Sequence, residues 1–321
     1  MAGRESVLVT GGSGFLGRSV VAALAKGDGS DGLVVSADLR TPDPDERIPG
    51  VVYETADVTD RVAIGDLIGR HGIGTVVHLA SIVNPGRDTT AEEEYEVDVV
   101  GSRNVLEACV EHGVARVVVS SSGAAYGYHA DNPVPLTETD PIRGNRAFPY
   151  SFHKRLVEQM LADYRETSPE LEQVVLRIGT ILGEKVDNQI TALFRRDRLL
   201  KVRGSETPFV FIWDEDVAAI IARAAGPGPA GIFNVAGDGT VTLDLIAGEL
   251  GSATITLPAW SIKAALYAGN RLGRTPHGPA QVDFLRYRPV LDNTRLKEVF
   301  GYTPKLTSLE AFTAWREAQG L

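Results

Sequence analysis

With 321 residues, 43% hydrophobic and 23% charged, the chain is long enough for a full-sized nucleotide-binding domain carrying a smaller attachment. Its formal net charge of −10 argues against nucleic acid or an anionic membrane as the main partner, so any anionic ligand must be held by local groups. No stretch is apolar over a membrane-spanning length and no signal-like core precedes the first strand, which predicts a cytoplasmic protein.

The apolar run 6–9 leads into Thr10-Gly11-Gly12-Ser13-Gly14-Phe15-Leu16-Gly17, and an apolar-periodic run follows from Arg18 to Lys26. The order is strand, glycine turn, helix. Glycines at 11, 14 and 17 allow a tight turn, let backbone N–H groups approach a pyrophosphate, and let the helix pack closely on the strand. The next apolar run, 33–37, ends in Asp38, 21 residues past Gly17. A carboxylate there accepts hydrogen bonds from an adenosine ribose and repels a 2′-phosphate, which selects NAD over NADP. Arg40, two residues on, is placed to soften that preference.

Beyond a loop at 41–45, a short strand at 51–54 leads to Asp57-Val58, a helix spans 61–70, and a strand at 75–79 ends in Ala80-Ser81. Residues 91–112 carry apolar positions at helical period. Among them Cys109, the single cysteine, reads as a packed core thiol. A strand at 116–120 is apolar enough to be buried on both faces, 150–164 is helical, and 174–177 is a strand. Strands alternating with helices predict an α/β protein with right-handed crossovers and a doubly wound parallel sheet of the Rossmann type, binding at the carboxyl ends of its strands.

After residue 178 the pattern changes. A helix is predicted at 188–200, a strand at 209–213, a helix at 214–224, a strand at 232–235, a Thr242-capped helix to Leu250, an amphipathic helix near 261–272, and a last pair of elements at 293–300 and 308–317. The expected division is a dinucleotide-binding domain at 1–178 and, at 179–321, a small α/β substrate lid threaded partly back through the main sheet. The six histidines show no paired ligand spacing, so no metal is expected.

Tyr150 and Lys154 stand four apart at the start of a helix and share one face. A lysine ammonium beside a phenol favours the phenolate, which makes such a pair a proton-transfer device. The run Ser120-Ser121-Ser122 ends a buried strand and brings hydroxyls to the carboxyl edge of the sheet, where one can hydrogen-bond a substrate oxygen as its charge changes. With Val77-His78-Leu79-Ala80-Ser81, Tyr126-Gly127, Leu176-Arg177 and Asp214-Glu215-Asp216-Val217-Ala218, the chain resembles, over nearly its whole length, the extended short-chain dehydrogenase/reductase family of NAD-dependent sugar epimerases and dehydratases, and within it the UDP-glucose 4-epimerases.

The resemblance implies Tyr150 as the acid/base, Lys154 as its tuner and as a ligand of the nicotinamide ribose, and Ser122 as the group that polarises the substrate oxygen. It also implies a cofactor groove lined by Gly11, Gly14, Phe15, Leu16, Gly17, Asp38, Asp57, Val58, Leu79, Ala80 and Ser81. Asp57 has a helix-capping alternative, and His78 reads as a satisfied core histidine. The chain also departs from the family. Gly123-Ala124 stands where many members carry the Asp-Glu pair of sugar dehydration, which disfavours a 4,6-dehydratase, and Asp98 replaces the usual asparagine three before Gly101. Thr180 and Phe209 stand where an asparagine and an arginine lie near the substrate diphosphate, and Trp213, in place of a frequent histidine, reads as a core aromatic. Against that loss of donors stand Arg195, Arg196, Arg198, Lys201 and Arg203, with Arg286 and Arg288, which either hold a diphosphate or form a solvated face.

Three functions stay open. The favoured one is NAD-dependent hydride transfer at a secondary alcohol or ketone in a nucleotide-sugar 4-epimerase-like enzyme; the others are an NAD-dependent dehydrogenase or reductase of a more apolar compound, and a non-catalytic NAD-binding sensor. The resemblance further implies a homodimer through the helices around 91–112 and 150–164.

Overall fold

The computed structural model describes residues 6–27, 32–86, 88–206, 208–275 and 278–321, so His277 and the approach to the first strand, 1–5, lie outside the described residues. The first elements are β1 Ser6–Thr10, α1 Phe15–Ala25, β2 Val34–Asp38, β3 Val51–Thr55, α2 Arg61–His71 and β4 Ile73–His78. Then come α3 Ala91–Tyr95, a π-helical turn Glu96–Val100 and α4 Gly101–Glu111, followed by β5 Arg116–Ser122, a 3-10 turn Gly123–Tyr126, α5 Pro149–Thr167 and β6 Glu172–Ile178. The remainder comprises β7 Thr180–Leu182, α6 Gln189–Phe194, β8 Arg198–Val202, β9 Phe211–Trp213, α7 Asp214–Ala225, β10 Gly231–Val235, α8 Leu243–Leu250, β11 Ala253–Leu257, α9 Ala259–Arg271, α10 Gln281–Arg286, α11 Thr294–Glu298 and α12 Ser308–Ala318.

Seven strands form one parallel sheet in the order β10-β6-β5-β4-β1-β2-β3. The chain runs outward from β1 in one direction and then, from β4, in the other. The switch point therefore lies between β1 and β4, and the crevice outside their carboxyl ends is where such sheets bind ligands. Apolar side chains alternate to both faces and are covered on both. One layer packs Val20, Val21 and Leu24 of α1 with Val217, Ile220 and Ile221 of α7. The other packs Ile64, Leu67 and Ile68 of α2 with Val105, Leu106 and Cys109 of α4 and Val157 and Leu161 of α5. Burial pushes the Cys109 thiol up to about 12, as befits a core thiol.

The second part of the chain contributes to two hydrophobic cores. Phe194, Phe209, Phe211, Phe312 and Trp315 build an aromatic core beside the two-stranded sheets β7–β9 and β8–β11. Between those pieces, α7, β10 and Leu296 of α11 pack with the main sheet. The predicted helix 188–200 is corrected: it ends at Phe194, and residues 198–202 form β8, paired with β11. Asn188 caps α6 by accepting from the N–H groups of Ile190 and Thr191. Asp197 and Arg198 then occupy the positions where a buried helical face needs apolar side chains.

Candidate active site

Geometry explains two of the three glycines directly. Gly11 has φ +71°, and a Cβ there would sit 2.7 Å from the Ala80 nitrogen; a Cβ at Gly17 would run into the Gly11 carbonyl. The end of β1, the end of β4 and the start of α1 can meet only without those side chains. Gly14 caps α1 without a side chain to accept its first N–H groups, and the first turn carries no acid. Those N–H groups are left for an anion.

Asp38, at the end of β2, accepts from the Ser13 N–H at 3.0 Å and the Leu39 N–H at 2.7 Å, which ties it to the glycine turn. Ser13, Gly14, Arg18, Asp38 and Arg40 line a cleft of about 520 Å³. Arg18 is turned to Glu46 at 3.2 Å. An uncapped helix start for a pyrophosphate beside a carboxylate for a ribose diol is a donor set that fits NAD.

Elsewhere in the groove, Leu79 and Ala80 are half-buried at the end of β4, Leu16 packs half-buried on the core, and Phe15 is exposed. Val58 is buried against Gly101. Asp57 accepts from the N–H and hydroxyl of Thr59, both at 2.8 Å, while the cap of α2 is Asp60; the helix-capping alternative for Asp57 is thus corrected.

Ser122 ends β5, and Tyr150 and Lys154 lie on α5, whose first turn is fastened beside that strand end. Ser122 accepts from the Ala124 N–H at 3.1 Å. Two residues on, the Ala124 carbonyl accepts from Ser151 Oγ at 2.7 Å, which fastens the first turn of α5, and with it Tyr150, to the turn after Ser122. Lys154 Nζ donates to the Ser120 carbonyl at 2.9 Å and lies 5.5 Å from the centre of the Tyr150 ring. Further along α5, Glu158 pairs with Arg177 of β6 at 2.7 Å with both side chains buried, so helix and sheet cannot slide.

Behind this group runs a chain of buried polar contacts. Thr10 Oγ1 lies 2.7 Å from His78 Nδ1, His78 Nε2 lies 3.0 Å from Ser102 Oγ, and the Ser102 hydroxyl donates to the Asp98 carbonyl at 2.6 Å. Ser102 spends its hydrogen on that carbonyl, so it accepts from His78 Nε2–H, and Nδ1 accepts from Thr10. Burial, and then the Lys154 cation, hold the imidazole down to about 3, so His78 is a neutral, satisfied core histidine. The Asp98 carboxylate accepts from Ser81 Oγ at 2.8 Å, the Ile82 N–H at 2.9 Å and His153 Nδ1 at 3.0 Å. Burial pushes this carboxyl up, but His153, the Lys154 charge, Ile82 and Ser81 together hold it below the usual carboxylate range. Sequence reading singles out Asp98 without its partner; a histidine directly before the lysine is the available signal.

On the lid side, Thr180 opens β7 and Phe209 is buried in the aromatic core. The Arg288 guanidinium lies 4.0 Å over the Phe209 ring and 5.7 Å from Phe284. Phe284 in turn meets Tyr128 edge-on at 5.2 Å, and Tyr128 meets Phe148 at 5.0 Å. The basic cluster comes apart. Arg195 is engaged by Asp187 and Gln319, both at 2.7 Å, Lys201 pairs with Asp244, and Arg196, Arg198 and Arg203 are exposed. Of the two readings of this cluster, the exposure of Arg196, Arg198 and Arg203 and the pairing of Arg195 favour a largely solvated face. Arg286 stacks on its neighbour Tyr287 at 4.6 Å. The arginine that the fold brings to Phe209 is Arg288, which sequence reading treats as a minor member of the cluster. Trp213 is half-buried on the lid core, as a core aromatic should be. Among the described residues no group of three His, Cys, Asp or Glu is placed to hold a metal, and no helix is long and apolar enough to cross a membrane.

Comparisons with known proteins agree with this geometry. The Mycobacterium tuberculosis protein Rv0501 is 28% identical over 324 residues, covering 98% of this chain and 84% of its own length. The UDP-glucose 4-epimerase of Erwinia amylovora is 33% identical over 193 residues, and the chain spans just over half of that protein, 56%. The crystal structure of the Thermus thermophilus UDP-glucose 4-epimerase in complex with NAD superposes with a TM-score of 0.72 at 25% identity, covering 98% of both chains. The profile of one family matches residues 7–236, from β1 through the return of β10 to the sheet. The glycine turn, the Asp38 cleft and the Tyr150–Lys154 pair all fall inside that span, and the chain belongs to the NAD dependent epimerase/dehydratase family.

Proposed function

We propose that this protein is a nucleotide-sugar 4-epimerase in which Tyr150 is the acid/base, Lys154 its tuner and Ser122 the group that polarises the substrate oxygen. The observation that supports this reading is that the first turn of α5, which carries Tyr150 and Lys154, is fastened to the end of β5 and the turn after Ser122 by the Lys154–Ser120 and Ser151–Ala124 bonds. Asp38 would hold the adenosine ribose, the first turn of α1 the pyrophosphate, and Lys154 the second ribose. NAD, when bound, supplies reversible hydride acceptance at the carbon that bears the hydroxyl. The Tyr150 oxygen takes the hydroxyl proton and later returns it, the Lys154 ammonium stabilises the phenolate, and Ser122 donates to the substrate oxygen as its charge changes. On the lid, Arg288 over Phe209 supplies a cation for the diphosphate, in place of an arginine at position 209 itself.

The likeness to UDP-glucose 4-epimerases supports a UDP-sugar as substrate. The test is incubation with UDP-glucose and UDP-galactose, following product stereochemistry and NADH together. The epimerase reading expects interconversion with no net NADH. Stoichiometric NADH overturns it in favour of a second reading, a dehydrogenase of a more apolar hydroxy compound, which the aromatic wall of Tyr128, Phe148 and Phe284 favours. NAD binding without turnover of any alcohol would leave the sensor. We infer, too, a cytoplasmic homodimer: Phe152, Leu156, Met160 and Tyr164 form a half-buried stripe at helical spacing along α5. Leu156→Glu should then shift the sedimentation coefficient to that of a monomer.

A further inference from the structure

Asp98 sits inside the π-helical turn Glu96–Val100, a rare kind of turn that is frequent at functional sites. It is 2% exposed, and its carboxylate accepts three hydrogen bonds, the last from His153 Nδ1. A carboxylate only accepts, so Nδ1 of His153 carries the hydrogen; an amide at 98 would turn an N–H toward the ring and require the other tautomer. His153 directly precedes Lys154 on α5, and Lys154 lies within electrostatic reach of Asp98.

The charged and titratable groups facing this couple come from several elements. They are Lys154 on α5, Glu94 on α3, whose own carboxyl is raised by burial and affected by both members of the couple, and the neutral His78 at the end of β4. The Tyr95 ring closes the other side, edge-on to His153 at 5.7 Å.

We propose that Asp98 and His153 are positioning residues for the Tyr150–Lys154 pair: His153, with Ser81 and Ile82, holds the carboxylate in place, and the carboxylate sets a negative charge near Lys154. This rests on the reading of Tyr150 as the acid/base. The charge of the carboxylate opposes a phenolate at Tyr150.

Two readouts test it. The first is the Tyr150 phenolate absorbance in the NAD-free chain, isolated as the difference between each variant and the same variant carrying Tyr150→Phe. The second is the pH profile of kcat/KM on the UDP-sugar. Asp98→Asn should move both the phenolate titration and the acid limb to lower pH by roughly 0.5–1 pH unit, whereas His153→Gln, which keeps the carboxylate and a side-chain N–H to donate to it, should leave both in place. Far-UV circular dichroism and Tm check the fold, and if Asp98→Asn does not fold, Asp98→Ser, which also removes the charge, carries the test. Loss of kcat in the neutral variant with neither the titration nor the limb displaced overturns the proposal and leaves the couple a structural brace. If Tyr150→Phe retains full turnover, the acid/base reading fails and the proposal with it. A phenolate titration that still moves would then leave only the charge effect of the couple on Tyr150.

Discussion

Beside the main sheet, buried polar groups are chained to one another: Thr10 to His78, His78 to Ser102, Ser102 to Asp98, Asp98 to His153, and separately Arg177 to Glu158. The core beside β7–β9 is built of rings. Phe194, Phe209, Phe211, Phe312 and Trp315 stack and tilt against one another at 5.3–6.1 Å, with Arg288 laid over Phe209. Hydrogen bonds have fixed directions and leave little freedom in where Ser122, Tyr150 and Lys154 stand, whereas ring packing tolerates exchange of shape at similar volume. Under the proposed function, the side that would carry proton transfer is rigidly specified, and the aromatic side is free to vary.

Several experiments break or sharpen that contrast. Tyr150→Phe should lower kcat by about 10²–10⁴-fold while calorimetry finds NAD affinity unchanged, since a general acid/base contributes on that order and Asp38 and the glycine turn are untouched. The buried polar wall should break with loss of stability: Arg177→Met strands Glu158 and should cost about 3–5 kcal/mol in urea unfolding. Phe209→Ala should cost a similar ~3–5 kcal/mol through the cavity it opens, but should add a functional signature, a KM for UDP-sugar that rises more than kcat falls, because Arg288 loses its platform. Asp38→Asn removes a charged acceptor worth about 1.5–3 kcal/mol, so the preference for NAD over NADP should fall roughly tenfold or more in a thermal-shift titration.

The last effect is on the pH dependence of stability. The His78 imidazole is held at about 3 in the folded chain against 6.5 when unfolded, so the unfolded state takes up the proton first as pH falls. Its contribution to stability is complete above 6.5 and is lost progressively down to about 3. His78→Gln should flatten the wild-type slope in that window by up to about 1.4 kcal/mol per pH unit.

The same contrast explains what is legible in the sequence. Strands β1, β2, β4, β5 and β6 are short apolar runs, and Gly11, Gly17 and Asp38 are tied to positions where only those residue types serve, so local pattern is enough. Helix α8 announces itself through its Thr242 cap, which accepts from the Leu245 N–H at 3.2 Å. Strand β8 is hidden because Leu199 and Leu200 continue an apolar count begun in α6, and its pairing with β11 joins residues more than fifty positions apart. The short helix α10 is hidden too, and sequence puts the weight of the basic cluster on Arg195 and Arg196 rather than Arg288, because only the fold decides which of many arginines meets a ring or an acid. His153 escapes notice since its partner lies on another helical segment, 55 residues earlier.

The return of residues 231–235 to pair alongside Glu172–Ile178 has one more consequence. A fragment cut after 178 would not be a free-standing nucleotide-binding module: it would lose the outermost strand, the cover that Val217, Ile220 and Ile221 give the sheet, and it would present a bare, apolar rim of unpaired N–H and C=O groups. Such a truncation should aggregate rather than bind dinucleotide.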